Sequence, residues 1–499
     1  MGIVIRQSLK ATIANYLAVV VGYLNLGYFF PKIFSTEEIG LISFILGTST
    51  LLISIFQLGM PSAIVRFYPE IKEKKQELSF LNFSTLVPIL LFLILFSLLA
   101  FLSPFIITKY YSNSHLIKEY YFLVPIISFF MGLTGIWAAH CNSLLRIVVP
   151  TIIEKFLNRI LVLFMITLAL FYSLDFSKFI NGYTVIYGSG LLLTLIYFYK
   201  IKPKYDKSNQ KKLNNKEKKE ILGFSSVSFL TIIGGRIVEN IDIIMISSMI
   251  DLSSAGIYKI AFYIGGVIMI PLSSLGQISS PLFAQFWKKK KLDKISELYK
   301  KASINLILVG GLLFTGILIN IQNIFKIMPN GQDYVKDGIW IILIIATGKM
   351  INMALSLNGH LLQNSKYFYV NTYSILILGM LTVLTNYIFI PMWGIIGAAF
   401  ASSVSLVIFN LIKFVFILIK FKMSPFSLKT IPAISVFILL FIVDLFIPEI
   451  SNVFADVMLR SFIVTLLFFI LIYFLKISTD INNILDSYIK KAFVWKKKT

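Results

Sequence analysis

The sequence contains few of the residues that form disulfides, metal sites or common catalytic centres. Its one cysteine, Cys141, excludes a disulfide framework and a cysteine-based metal site. Its three histidines are scattered and show no ligand spacing. The chain also lacks a P-loop, a zinc motif and a nucleophile elbow. We therefore expect no ATP hydrolysis, no metal site and no cofactor.

Charged residues are also scarce. Only 14% of the residues are charged and 57% are hydrophobic, whereas about a quarter of the residues in a soluble domain are charged. The mean hydropathy is +0.84. This composition indicates an all-α polytopic membrane protein.

Acidic residues are few relative to basic ones, 23 against 46, which gives a net charge of +23. In a soluble protein this excess would suggest nucleic acid as a partner. Here the basic residues lie in short loops between apolar runs, which is the topology signal of membrane proteins. We therefore expect contact with membrane lipids and no binding of nucleic acid. The start of the chain has no small-residue cleavage site, so the first apolar run is predicted to be a spanning helix.

A spanning helix needs about 20 mostly apolar residues. Several long apolar stretches of the chain come close to this length. The fourteen predicted spans are residues 9–30, 39–60, 79–103, 119–142, 150–172, 177–200, 222–250, 255–283, 303–325, 339–360, 367–390, 393–420, 430–448 and 457–476.

The distribution of basic residues predicts the orientation of these spans. With a cytoplasmic N-terminus, 36 of the 46 Lys and Arg residues fall on the inner side and six on the outer side. The remaining four are Arg236, Lys259, Lys349 and Arg460, which lie within or at the edge of spans. This asymmetry fits the positive-inside rule and places both termini in the cytoplasm.

A polar insert, residues 200–220, separates six predicted spans from eight. Its charge density predicts a mobile linker or a surface segment near anionic headgroups. The predicted divisions are a six-helix bundle over 1–200, a basic linker over 201–221, a second six-helix bundle over 222–420, and two further helices with a basic tail over 421–499. The tail, residues 490–498, is predicted to anchor the chain at the membrane interface.

Two stretches suggest an internal repeat. Residues 34–44 (FSTEEIGLISF) and 251–262 (DLSSAGIYKIAF) each place a polar turn before a glycine, Gly40 or Gly256, near the start of an apolar span. Six helices per half would keep the two halves parallel, which is a common arrangement in transporters with a substrate site between the halves.

Ionisable residues interrupt the span at 222–250. Arg236, Glu239, Asn240 and Asp242 form one polar stripe, because helical residues three apart share a face. A charge at mid-membrane costs roughly 2.5–3.5 kcal/mol on insertion scales. Two interpretations remain open: an Arg236–Glu239 pair that only packs the helix, or a stripe that lines a polar path.

Lys349 lies in the middle of another span, with Asn352 and Ser356 on its face. A lysine that snorkels to the interface is the alternative to a binding role. Together with Arg236, Lys349 could present two cations to one cavity. Cations in a low-dielectric cavity attract phosphate.

Weaker candidates lie near the predicted cytoplasmic side. Arg66, Glu154 and Arg159 could form internal salt bridges or a rim that receives an anionic headgroup. Asp444 could couple transport to protons, but it lies outside the repeat. The outer loops are short, and the longest, about residues 104–118, contains no carboxylate pair and no Arg/His cluster, which disfavours a glycan polymerase or ligase.

Four stretches in order resemble one family. They are residues 59–70 (GMPSAIVRFYPE), 144–160 (LLRIVVPTIIEKFLNRI), 240–262 (NIDIIMISSMIDLSSAGIYKIAF) and 393–405 (WGIIGAAFASSVS). This set resembles the polysaccharide transporter, or O-antigen flippase, branch of the multidrug/oligosaccharidyl-lipid/polysaccharide (MOP) exporter superfamily. The resemblance covers about the whole chain.

The resemblance implies a flippase of the bacterial inner membrane. Its substrate would be undecaprenyl-pyrophosphate-linked oligosaccharide, moved by alternating access for O-antigen, capsule or exopolysaccharide export. It also implies a cationic lumen between the halves, which Arg236 and Lys349 match. Coupling to protons, sodium ions or the membrane potential stays open, and a polysaccharide polymerase and glycosyltransferases are the expected protein partners.

Two alternatives from the same superfamily remain. A cation-coupled multidrug exporter would use an acidic lumen, which Glu239 and Asp242 would permit but Arg236 and Lys349 oppose. A flippase for the peptidoglycan lipid precursor would differ only in its substrate.

Overall fold

A computed structural model describes residues 13–15, 17–112, 114–203, 210–355, 357–483 and 485–487, apart from the side chains of 273, 274 and 277. The regular elements of these residues are helices, as predicted for an all-α polytopic membrane protein. Eleven helices of the described chain are long and apolar enough to cross a membrane.

The helices follow one another with short connections. In chain order they are α1 Ile13–Ile33, α2 Thr36–Gln57, α3 Met60–Glu73, α4 Glu77–Tyr110, α5 His115–Tyr120, α6 Leu123–Ser143, α7 148–172, α8 Phe176–Ile201, α9 Asn215–Met249, α10 Leu252–Gly266, α11 Ile270–Lys288, α12 Leu292–Ile319, α13 Ile321–Ile327, α14 Gln332–Leu355, α15 Leu357–Gln363, α16 Phe368–Phe421, α17 Thr430–Asp444 and α18 Val453–Leu475.

Each of the fourteen predicted spans overlaps one of these helices. Two of them, 367–390 and 393–420, belong to α16, which is interrupted by non-helical backbone at Trp393 and Gly394. Gly394 has φ +60°, a conformation that side chains disfavour. The count of fourteen spans and the cytoplasmic position of both termini stay predictions. The predicted basic tail lies outside the described residues.

The chain forms two compact units, Met1–Ile260 and Ala261–Thr499. The first unit therefore contains α9 and most of α10 in addition to α1–α8. The predicted bundle limits at 200, 221 and 420 stay predictions.

In the first unit, α6 packs against α2, α3 and α8. Close approach of α2 and α6 depends on Gly132, because a Cβ at this position would overlap the ring of Phe56. Gln57 secures the same contact, since its Nε2 donates to the Gly132 carbonyl at 2.6 Å.

The starts of α2 and α10 cross at the two glycines of the suspected repeat. A Cβ on Gly40 would overlap the carbonyl oxygen of Leu252, and a Cβ on Gly256 would overlap that of Thr36. The contact is therefore reciprocal: each helix places its glycine against the backbone of the other. Both helix starts are also capped by a side chain, Ser35 for α2 and Asp251 for α10.

The second part of the polar insert is anchored to the first unit. Glu217 accepts hydrogen bonds from Gln76 at 2.9 Å and from Lys74 at 3.1 Å. The Lys211 amide donates to the Lys75 carbonyl at 2.9 Å. Leu213 is only 5% exposed and belongs to an apolar cluster. We call residues 74–79 and 210–217 the clasp; over 210–217 the insert is thus a packed segment and not a mobile linker.

In the second unit, α17 and α18 pack on α12 through a shared apolar cluster. Arg460 of α18 lies among acceptors: its Nε donates to Asp456 and its Nη1 to Asp444, both at 2.8 Å. Asp456 also accepts from Asn323 at 2.6 Å. Asp444, a weak candidate for proton coupling, is therefore part of an ion-pair network that joins α17 to α18.

Replacing Arg460 by methionine would leave two largely buried carboxylates without their partner. We expect Arg460→Met to lower the free energy of unfolding by roughly 1–3 kcal/mol, the usual cost of an unsatisfied buried polar group. Thermal unfolding in detergent would measure this loss. Lys178→Met is the matched control, because Lys178 and its partner Asp175 are both exposed. Equal melting temperatures for Arg460→Met and the wild type would contradict the stabilising role.

Candidate functional site

The polar stripe lies on α9, in the first unit. Arg236 Nη1 and Glu239 Oε2 form a salt bridge at 3.1 Å, and their side chains remain 44% and 64% exposed. Asn240 Nδ2 donates to the Arg236 carbonyl at 3.0 Å, and Asn240 packs against Gly47 of α2. The Arg236–Glu239 pair is thus present. It is also exposed, as expected for a stripe that lines a polar path.

Asp242 differs from the rest of the stripe because it is buried, with 4% of its surface exposed. It accepts a hydrogen bond from the Tyr258 hydroxyl of α10. The ammonium of Lys259, next in the chain, interacts electrostatically with both Glu239 and Asp242. Lys259 was predicted only to lie within or at the edge of a span. Its place inside the apolar run GIYKIAF was the sequence feature that could have indicated burial.

Glu154 approaches this stripe from α7. Its carboxylate interacts electrostatically with Lys155 and with Arg236. Glu154 belongs to a π-helical segment, Ile152–Leu157, and such segments occur often at functional sites. The structure therefore brings two predicted residues, Glu154 and Arg236, into one polar region of the first unit.

Arg159 follows that π-helical segment and binds α1. Its Nη1 donates to the Ala18 carbonyl, and its own carbonyl accepts from Asn25 Nδ2 at 2.9 Å. Asn25 opens a second π-helical segment, Asn25–Phe29, and its buried Oδ1 has no partner in the described chain. Arg159 thus ties the two irregular segments together.

Arg66 lies apart from these residues. It is exposed on α3, with its guanidinium 4.2 Å from the centroid of the Phe224 ring. Phe224 precedes Arg236 by twelve residues on α9, which is about 18 Å along a helix. Arg66 is therefore placed near the start of α9 and not at the stripe.

Lys349 lies on α14, in the second unit, and is half-buried. Its ammonium stands 3.8 Å from the centroid of the Phe262 ring, a cation–π contact. Asn352, one turn further, accepts from Asn410 Nδ2 of α16 at 2.8 Å. Ser356 lies outside the described residues. That Lys349 and Arg236 serve one cavity stays a prediction, as do the roles of all these residues.

Two helices of the second unit, α14 and α16, differ in charge from the polar region of the first unit. The first unit contains acidic and basic residues side by side: Glu154, Glu239 and Asp242 with Arg236 and Lys259. In the second unit the sequence has no Asp or Glu from residue 338 to 443, which covers most of α14 and all of α16. Cations on these helices have no carboxylate on their own helix nearby.

A profile of the family described as "Polysaccharide biosynthesis protein" matches residues 5–287. "Uncharacterized membrane protein MJ1375" of Methanocaldococcus jannaschii is 25% identical over 451 residues, 84% of this chain and 98% of the relative. "Probable low-salt glycan biosynthesis flippase Agl15" of Haloferax volcanii is 22% identical over 228 residues, 45% of this chain and 48% of the relative.

Several solved structures share the fold, and two of them illustrate the likeness. The lipid II flippase MurJ, in an inward closed conformation, has a TM-score of 0.73 and 18% identity, covering 93% of this chain and 98% of its own. An inward-facing multidrug resistance MATE family transporter of the MOP superfamily has a TM-score of 0.66 and 10% identity, covering 82% and 94%. At these identities the likeness concerns the fold alone.

Proposed function

Because this chain belongs to the polysaccharide biosynthesis protein family, we propose that it flips undecaprenyl-pyrophosphate-linked oligosaccharide across the bacterial inner membrane for O-antigen, capsule or exopolysaccharide export. That it is a multi-pass membrane protein with the fold of MOP-superfamily transporters follows from its apolar helices and structural relatives. The substrate and the membrane are the proposed part.

The cationic spans of the second unit are the observation that supports an anionic substrate. Lys349 is half-buried on α14. The acidic residues of this helix lie in its first two turns, and none follows Asp337. A cation in a low-dielectric region attracts anions, and a pyrophosphate group is an anion that forms strong charge-assisted hydrogen bonds with such a cation.

The mixed charges of the first unit suit a coupling role. Glu154, Arg236 and Glu239 form a chain of opposite charges whose balance changes if a proton or sodium ion binds a carboxylate. We propose that this region couples flipping to an ion or to the membrane potential.

A multidrug exporter of the same superfamily is the second candidate, because it would use Glu239 and Asp242 to attract cationic drugs. In the structure Glu239 is paired with Arg236, and Asp242 is bound by Tyr258. A cationic drug would therefore compete with Arg236 for Glu239 and with Tyr258 for Asp242. A peptidoglycan-precursor flippase remains the closest alternative in chemistry.

Reconstitution would test the proposal directly. In proteoliposomes we expect the protein to move a fluorescent undecaprenyl-pyrophosphate oligosaccharide between leaflets, measured by accessibility to a membrane-impermeant quencher. Protein-free liposomes and a cationic dye serve as controls. Transport of the dye without transport of the glycolipid would refute the proposal and favour the drug exporter. Movement of lipid II alone would favour the peptidoglycan-precursor flippase.

A further inference from the structure

Lys413 is a buried cation that the candidate site does not include. It lies on α16, eight residues before the end of that helix, and only 3% of its surface is exposed. The orientation count of the sequence analysis placed it with the basic residues of the inner side. The structure instead places it within the helix packing of the second unit.

None of the described residues supplies an anion to the Lys413 ammonium. The ammonium stands 3.5 Å from the centroid of the Phe409 ring, one turn earlier on the helix. A Cβ built on Gly359 would be 3.7 Å from the ammonium and 3.3 Å from Asn371 Oδ1, so Gly359 and Asn371 lie near this ammonium. Across the described residues, no hydrogen-bond acceptor and no carboxylate pairs with Lys413. His360 is near enough to interact with it electrostatically.

Lys413 and Lys349 are related through a bridge between α14 and the second half of α16. Ser403 Oγ donates to the Ile344 carbonyl at 3.0 Å, and Asn410 donates to Asn352 at 2.8 Å. The residue numbers of the paired positions increase in the same direction along both helices, so α14 and the second half of α16 run parallel. Lys349 precedes the bridge by three residues and Lys413 follows it by three. The spacing between the two lysines along the helix axis is therefore about 9 Å.

The bridge also has an unsatisfied acceptor. Asn410 Oδ1 is buried and has no hydrogen-bond partner in the described chain. Buried polar groups are normally satisfied, so such an atom needs an explanation. Lys413 requires an acceptor and Asn410 Oδ1 requires a donor. A hydrated phosphate meets both needs, because its oxygen accepts from the ammonium and its water donates to the amide oxygen.

We propose that Lys413 and Asn410 form a second phosphate-binding position, one step beyond Lys349 towards the end of α16. Its ligand is a phosphate or pyrophosphate group. That the transported headgroup passes between the two lysines rests on the proposed flippase function. The Lys413 ammonium contacts the Phe409 ring on one side, and a phosphate oxygen would supply the acceptor for its hydrogen-bond donors.

Calorimetric titration of the purified full chain with inorganic pyrophosphate, in a detergent without phosphate, tests the position. We expect Lys413→Met to weaken binding roughly ten- to a hundredfold, as for loss of a charged hydrogen bond, and Lys413→Arg to retain most of it. Lys420→Met is the matched control, because Lys420 is exposed on the same helix. Unchanged binding by Lys413→Met would overturn the proposal.

Thermal unfolding separates ligand binding from packing. Removing an uncompensated buried charge should leave the melting temperature unchanged or raise it. A lower melting temperature for Lys413→Met together with normal pyrophosphate binding would show that Lys413 is structural. Titrations in nanodiscs of phosphatidylglycerol and of phosphatidylcholine distinguish the source of the phosphate. If only phosphatidylglycerol competes with pyrophosphate, the position holds bilayer lipid, and this result would overturn its transport role.

The glycolipid assay distinguishes the two proposals. Loss of both pyrophosphate binding and glycolipid transport in Lys413→Met supports the further inference. Loss of pyrophosphate binding with normal glycolipid transport would refute the proposal that the headgroup passes between Lys349 and Lys413. If the wild type transports no glycolipid while binding still depends on Lys413, the proposed function fails and the phosphate-binding position stands.

Discussion

Replacing both Arg236 and Lys349 by methionine should reduce glycolipid transport by at least about a hundredfold. Loss of a charge-assisted hydrogen bond to pyrophosphate costs about 1.5–3 kcal/mol, and about 1.4 kcal/mol changes an equilibrium tenfold, so two such losses are expected to exceed a hundredfold. The proteoliposome assay measures the rate, and immunoblotting measures the amount of protein. In cells, the glycolipid should accumulate in the cytoplasmic leaflet.

The charge-preserving double variant, with Arg236→Lys and Lys349→Arg, is the control for this experiment. It should retain much more transport than the methionine variant, although a lysine cannot reproduce the two-pronged grip of a guanidinium. Normal transport in the methionine variant would contradict a role for these cations in substrate binding. The single variants then assign the loss to the mixed-charge stripe of α9 or to the cationic helix α14.

Gly40→Ala should be the most damaging of the small substitutions in the first unit. The added Cβ would overlap the Leu252 carbonyl, which is backbone and cannot rotate away. Overpacking of this kind typically costs 1–3 kcal/mol and sometimes more, so we expect a loss of about 3 kcal/mol. Gly256→Ala should behave alike, because its Cβ would overlap the Thr36 carbonyl. Thermal unfolding in detergent would measure both.

Gly316→Ala provides a control of opposite sign. Gly316 lies in α12 and nothing would meet its Cβ within 4 Å. Alanine is a better helix former than glycine by about 1 kcal/mol, so this variant should be as stable as the wild type or more so. If Gly40→Ala matched Gly316→Ala in melting temperature, the close crossing of α2 and α10 would be refuted.

The fold was largely predictable from the sequence because membrane spans leave a strong one-dimensional signal. Apolar runs separated by short polar or basic loops predicted fourteen spans, and each span overlaps at least one helix of the structure. The clasp was not predictable in the same way. Residues 210–217 are polar apart from Leu213, and the sequence does not show that residues 74–79 supply their hydrogen-bond partners.

The candidate site was predictable in its positions but not in its partners. Spacing along α9 correctly placed Arg236 beside Glu239. The spacing could not show that Tyr258 of the next helix covers Asp242, which lies about 60° from Glu239 around the helix. Lys259 and Lys413 were missed as candidates for a related reason. A lysine near the end of an apolar run can snorkel or can be buried, and the neighbouring helices decide which.

The reciprocal crossing of Gly40 and Gly256 has the geometry of a two-fold dimer contact, in which each partner offers the same patch to the other. Within one chain, however, the two patches are separate positions 216 residues apart. A side chain at either position is therefore enough to force the helices apart, and the glycine at the other position cannot compensate.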